Sequence, residues 1–135
     1  MDIEESIVKI EEFLSKIDEV LLSFIFGSFI ENRLTDESDA DLAILFSSKP
    51  DFESLNKIKS GITEITDRDT DIVILNFASP IIKMQALKKG RLIKKVNDSI
   101  YNEFFLRTLK EYDDLKIVRR PQEQNILKGR IYDRI

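Results

Sequence analysis

Gly27-Ser28-Phe29-Ile30-Glu31-Asn32-Arg33-Leu34-Thr35-Asp36-Glu37-Ser38-Asp39-Ala40-Asp41-Leu42 is the stretch on which the reading of this chain turns. Gly27-Ser28 closes a dense apolar segment, Val20 to Phe26, and ten residues later Asp-x-Asp opens another, Asp39 to Phe46. Short apolar runs bounded by turn residues read as buried strands. Residues two apart on a strand point to the same face, so Asp39 and Asp41 project together. Two such carboxylates repel each other unless a cation neutralises them. Asp71 opens a third apolar run, Asp71 to Leu75, and joins the same face if the strands are neighbours. Asp69 shares its parity and is the alternative; Asp67 is a further one. Three carboxylates at strand ends make an all-oxygen site suited to one or two Mg²⁺ ions. Gly27 permits close backbone approach to a ligand, and Ser28 offers a hydroxyl to phosphate oxygens. Arg33 is near enough in sequence to add a phosphate contact.

The segments outside this stretch alternate in period. Ile3, Ile7, Ile10, Leu14, Ile17 and Leu21 recur at steps of four and three, and predict a first helix that gives way near Asp18-Glu19, with Asp2 and Glu5 resembling a capping box. Phe52, Leu55, Ile58, Ile62 and Ile65 predict a second helix, which Gly61 interrupts. Ser79-Pro80 opens a third in the preferred manner, and Gly90 is expected to close it in a left-handed conformation. Arg91 to Val96 reads as a fourth strand, at an edge because it carries Lys94 and Lys95. Ser99 to about Ile117 reads as a long helix with Tyr101, Phe104, Phe105, Leu109, Tyr112 and Leu115 inward, and Pro121 as its break. The expected fold class is α/β (α+β), a small mixed sheet of about four strands with flanking helices. Residues 1–118 form the expected domain, and 119–135 a tail or short helix available to a partner.

The chain has 135 residues, with no Cys, His or Trp. No thiol nucleophile, disulfide framework or thiolate zinc site can form, and no imidazole base is present. Catalysis must then rest on carboxylates, Lys, Tyr, Ser or an oxygen-bound metal. The net charge is −4, yet residues 1–80 carry −11 and residues 81–135 carry +7. This fits two solvated faces of one domain, or an acidic metal site beside a basic surface for an anion or partner. No apolar run approaches the roughly 20 residues that span a bilayer, and the acidic N-terminus does not resemble a signal peptide. The expected location is the cytoplasm.

Gly27-Ser28-Phe29, Arg33, Ser38-Asp39-Ala40-Asp41-Leu42 and the later strand Asp71 together resemble the nucleotidyltransferase superfamily related to DNA polymerase beta. Within it, the pattern is similar to the single-domain minimal nucleotidyltransferase (MNT) proteins. Asn76-Phe77-Ala78-Ser79-Pro80 and Ala86-Leu87-Lys88-Lys89-Gly90 extend the likeness, which covers roughly residues 1–115. The resemblance implies a polymerase beta-like fold, with Gly27, Ser28 and Arg33 on the triphosphate of ATP. It implies Asp39, Asp41 and Asp71 as catalytic ligands of two Mg²⁺ ions. It further implies an antitoxin beside a HEPN-domain ribonuclease toxin, transferring AMP to a tyrosine of that partner. Glu31 and Asn32 stand where the family loop often carries Arg and Gly, which bears on rate rather than fold. The alternatives are an antitoxin that acts by binding alone, and transfer to a small-molecule hydroxyl such as an aminoglycoside. Direct nucleic-acid binding is not expected of a net acidic chain without a second domain to grip a template.

Overall fold

In a computed structural model, the described residues are 3–26 and 40–129, with side chains described as far as residue 115. Helix α1 (Ile3–Ser15) presents Ile7, Ile10 and Leu14 to the interior. Strand β1 (Val20–Phe26) is buried along most of its length. It pairs antiparallel with β2 (Ala40–Phe46) and with β4 (Arg91–Lys95). β2 pairs in parallel with β3 (Thr70–Ile74), reached through helix α2 (Phe52–Thr66). A parallel neighbour needs such a crossover, because a tight turn can only reverse the chain. The sheet order is β3-β2-β1-β4. The sheet is therefore mixed, and Lys94 and Lys95 do sit on an edge strand.

Alternation along the strands sorts the side chains onto two faces. Leu42, Ile44 and Phe46 of β2 join Ile7, Ile10, Leu14, Ile58 and Ile62 in one core, beneath α1 and α2. Leu22, Phe24 and Ala43 join Leu75, Ala86 and Phe104 in the other, beneath α3 (Pro80–Lys89) and α4 (Asp98–Gly129). The helices take their caps from the residues that sequence chemistry favours. The Asp51 carboxylate accepts from Ser54 N–H at 2.7 Å, which holds its pKa below the ordinary carboxylate value. The Ser79 hydroxyl accepts from Ile82 N–H, with Pro80 following. Asn76, in a 3₁₀ turn over Leu75–Phe77, clasps the end of β2. Its Oδ1 accepts from Phe46 N–H and its Nδ2 donates to Phe46 C=O, both at 2.9 Å.

Lys94 does more than mark an edge. Its ammonium donates to the carbonyls of Leu14 and Ile17, at 2.9 and 2.7 Å. It thus adds a second donor to two carbonyls at and just beyond the end of α1, which also accept Ile17 N–H and Val20 N–H. Burial pushes its pKa down, and Asp18 partly opposes that shift.

Several expectations are corrected. Gly90 is extended (φ −79°, ψ 154°), because the chain passes straight from α3 into β4. Its glycine identity answers to space instead: a Cβ there would lie 2.5 Å from the Ala86 carbonyl oxygen and 3.0 Å from the Phe24 Cβ. α4 continues through Pro121 to Gly129. Proline forfeits one N–H bond at that point. Phe105 is 37% exposed, and Thr108 takes the buried position at 1%.

α2 also runs unbroken through Gly61. A Cβ at Gly61 would meet the Phe13 ring at 2.2 Å, so the glycine makes room for α1 to approach. Gly61→Ala gains about 1 kcal/mol of helix propensity but incurs an overpacking cost of about 1–3 kcal/mol. The expected net result in chemical denaturation is a loss of about 1 kcal/mol. In a Phe13→Leu background the same substitution is expected to stabilise. A stabilising Gly61→Ala in the parent chain would show that the ring yields freely.

Candidate functional site

The register of the sheet brings two of the sequence-predicted carboxylates together. Asp41 is the second residue of β2, Asp71 the second of β3, and the two are direct partners in the parallel ladder. Parallel partners point to the same face, on strands about 4.8 Å apart. That face is the one under α3 and α4, since Ala43 and Val73, two residues further along each strand, pack there. Phe26, the last residue of β1, is the antiparallel partner of Asp41. The carboxylates therefore sit where β1 ends and where β2 and β3 begin. Asp41 is partly buried and Asp71 exposed.

Gly27, Ser28, Arg33 and Asp39 lie outside the described residues, as do Glu31 and Asn32. Among the described residues no group of three metal-ligating side chains converges. The backbones of Asp67 and Asp69, the rivals of Asp71, take part in the α2–β3 connection. Asp67 is the left-handed cap of α2, at φ 57°. The Asp69 carbonyl accepts from Ala40 N–H at 2.8 Å, just before β3 begins.

The surroundings of the pair are organised from behind. Thr70, 4% exposed, precedes Asp71 and faces the α2 side. Its hydroxyl shares a 2.8 Å hydrogen bond with that of Thr63 on α2. The Thr63 carbonyl accepts the capping N–H of Asp67 at 2.7 Å. Periodicity gave no reason to single out Thr63 or Thr70, because their meeting depends on how α2 returns to β3.

Positive charge at this end of the sheet is partly committed. Arg91, which opens β4, forms a two-pronged pair with Glu4 at 2.8 and 3.1 Å. That carboxylate raises the Arg91 pKa above its ordinary value. The last turn of α3 carries Lys88 and Lys89 toward the same end. A cleft of about 360 Å³ lies at the opposite end, lined by Leu45, Ser47, Asn76, Lys83, Arg107 and Thr108 among others. Its cations are paired within the fold, Lys83 with Glu111 and Arg107 with Glu103, each at 3.1 Å. The carboxylates, unlike the cleft, are where the fold sets like charges side by side. Such a pair of oxygen donors fits a hard cation such as Mg²⁺. None of the described helices is long and apolar enough to cross a membrane.

Comparison with known proteins agrees with this architecture. Shewanella oneidensis protein adenylyltransferase MntA is 24% identical over 119 residues, covering 87% of this chain and 82% of that protein. A chain in the structure of the tri-AMPylated Shewanella oneidensis HEPN toxin in complex with MNT antitoxin superposes with TM-score 0.72 at 21% identity. The match covers 93% of this chain and 98% of that one. A chain of a toxin-antitoxin crystal structure with AMP-PNP gives TM-score 0.71 at 22% identity, over 92% and 98% respectively. The family model described as polymerase beta, nucleotidyltransferase matches residues 8–99. With that model spanning most of the chain, and with a four-stranded mixed sheet between helices, the chain belongs to the polymerase beta nucleotidyltransferase family.

Proposed function

We propose that this nucleotidyltransferase is the antitoxin of a toxin-antitoxin pair, and that it transfers AMP from ATP to a tyrosine hydroxyl of a HEPN-domain partner. The observation that carries the reading is the Asp41–Asp71 register pair, on one face at the mouth of the sheet. The relatives supply the context: a protein adenylyltransferase, an AMPylated toxin with its MNT antitoxin, and a toxin-antitoxin with AMP-PNP.

Asp39, the first Asp of the Asp-x-Asp pair, would join Asp41 and Asp71 in holding Mg²⁺. Bound Mg²⁺ would stabilise the charge that develops on the transferring phosphate and on the leaving pyrophosphate. Gly27, Ser28 and Arg33 would bind the triphosphate, Ser28 through its hydroxyl and the backbone N–H groups around it. Asp71, the most exposed of the described pair, would accept the proton of the attacking tyrosine hydroxyl. The new bond forms between the tyrosine oxygen and the α-phosphorus, and the bond to pyrophosphate breaks. The absence of His is no obstacle to this chemistry, since proton acceptor and metal ligands are all carboxylates. The region from residue 119 onward, rich in Arg119, Arg120, Lys128, Arg130 and Arg134, would contribute to the contact with the partner.

The test is incubation with a HEPN toxin, ATP and Mg²⁺, followed by mass spectrometry of the toxin. The expected result is addition of one or more AMP groups on tyrosine, dependent on both ATP and metal. A toxin silenced without any mass change would point to neutralisation by binding instead.

A further inference from the structure

We propose that Thr63 and Thr70 are positioning residues that hold Asp71 in register with Asp41, and so set the metal affinity of the site. The inference rests on the assignment of Asp71 as a metal ligand. Asp71 follows the α2–β3 connection directly, and among the described strands β3 pairs with β2 alone, at an edge of the sheet. An edge strand is held on one side only, and is the part of a sheet most free to shift or fray. A slip of one residue would turn Asp71 to the opposite face.

Three hydrogen bonds act against that slip. Thr63 Oγ1 and Thr70 Oγ1 are 2.8 Å apart, tying the first residue of β3 to the last turns of α2. The Thr63 carbonyl accepts Asp67 N–H, fastening the start of the connection from the same residue. The Asp69 carbonyl accepts from Ala40 N–H, linking the end of the connection to the first residue of β2. Ala40 lies between Asp39 and Asp41 in sequence. The hydroxyl pair is thus the side-chain member of a network that reaches both carboxylate-bearing strands from behind the sheet. Its position on the α2 face keeps it away from substrate and metal, so it acts only through Asp71. Thr70 is 4% exposed, and a hydroxyl at that depth is costly to leave unpaired, which favours the one geometry in which the pair is made.

Valine keeps the shape of threonine and removes the hydroxyl. Thr70→Val is expected to weaken Mn²⁺ binding about tenfold, at the lower end of the effects seen when a ligand's supporting partner is removed. The measurement is Mn²⁺ titration followed by electron paramagnetic resonance, in the presence of AMP-PNP, with the full chain. The Mg²⁺ concentration that half-saturates AMP transfer should rise by the same factor, while KM for ATP at saturating metal stays unchanged. Thr63→Val is expected to give the same loss, and the double variant no more than either single one, because both break one bond. Thr70→Ser is expected to restore binding. Should Thr70→Val fail to fold, Thr63→Val and Thr70→Ser still decide the matter. Metal affinity within about twofold of the parent in a folded Thr63→Val or Thr70→Val chain, against the expected tenfold, would overturn the proposal. Asp71→Asn separates the two ideas: unchanged Mn²⁺ affinity in that variant would remove the site assignment itself.

Discussion

Asp41→Asn is expected to abolish AMP transfer while leaving the fold intact, and Asp71→Asn to do nearly the same. Asparagine keeps the size and planar shape of the side chain, and the β2–β3 ladder is made by backbone groups that the change does not touch. What is lost is the negative charge that retains a divalent cation. Lewis-acid stabilisation by a bound metal contributes several kcal/mol to such transfers, and each 1.4 kcal/mol is about tenfold in rate. The expected loss is therefore about a thousandfold or more. Thermal stability of Asp71→Asn without metal should be unchanged or slightly higher, because two carboxylates on one face no longer repel. Added Mg²⁺ and AMP-PNP should raise the melting temperature of the parent chain, and leave that of Asp41→Asn where it was. Transfer within tenfold of the parent by Asp41→Asn, against the thousandfold expected, would remove metal-assisted chemistry from this site. A stabilised Asp71→Asn chain would show function held at a cost in stability.

Phe24→Ala is expected to have the largest effect on folding. Phe24 lies in the middle of β1, 2% exposed, on the same sheet face as the carboxylates. Its ring meets that of Phe104 on α4 with centroids 6.4 Å apart, and its Cβ approaches the backbone at Gly90. Truncation removes the contact that seats both α3 and α4 on the sheet, and leaves a cavity between rigid backbones that cannot close. Such substitutions cost about 3–5 kcal/mol, against a total stability of about 5–15 kcal/mol for a domain. The check is urea denaturation, with the midpoint lowered and the slope unchanged. A cost below about 1 kcal/mol would mean that the second core is plastic enough to refill the space. Phe104→Leu should cost less, since α4 keeps an apolar anchor there.

The elements with a strong period were legible in the sequence because burial on one face imposes that period on the residues themselves. The stripe of Ile7, Ile10 and Leu14 is the buried face of α1, and Ile58 and Ile62 are that of α2. Ser79-Pro80 opens α3 as local capping chemistry demands. The parity of Asp41 within β2, and the charge logic that follows from it, were equally readable, since alternation is a property of any strand. Local rules failed where a neighbour distant in sequence decides the outcome. Gly90 looked like a left-handed cap, but it is extended and is glycine because Phe24 and Ala86 crowd it. Gly61 looked like an interruption, but it makes room for Phe13 of α1. Phe105 is among the residues expected to face inward. α4 instead turns Thr108, one turn beyond Phe104, to the interior, and Phe105 stacks on Tyr101 near the surface with centroids 6.3 Å apart.

The same division runs through the candidate site. By itself the sequence determined that neither imidazole nor thiol chemistry is open to this chain, since His and Cys are missing, and its Asp-x-Asp spacing predicts two carboxylates on one face. It also determined that a strand beginning with Asp71 was available to complete the set. Only the tertiary structure decided that this strand lies beside β2, in parallel, with Asp71 opposite Asp41 and neither Asp67 nor Asp69 in its place. Strand order and register are settled by how α2 crosses over and where its end is fastened. Those contacts join residues far apart along the chain or across a turn, and no local pattern of residue types encodes them.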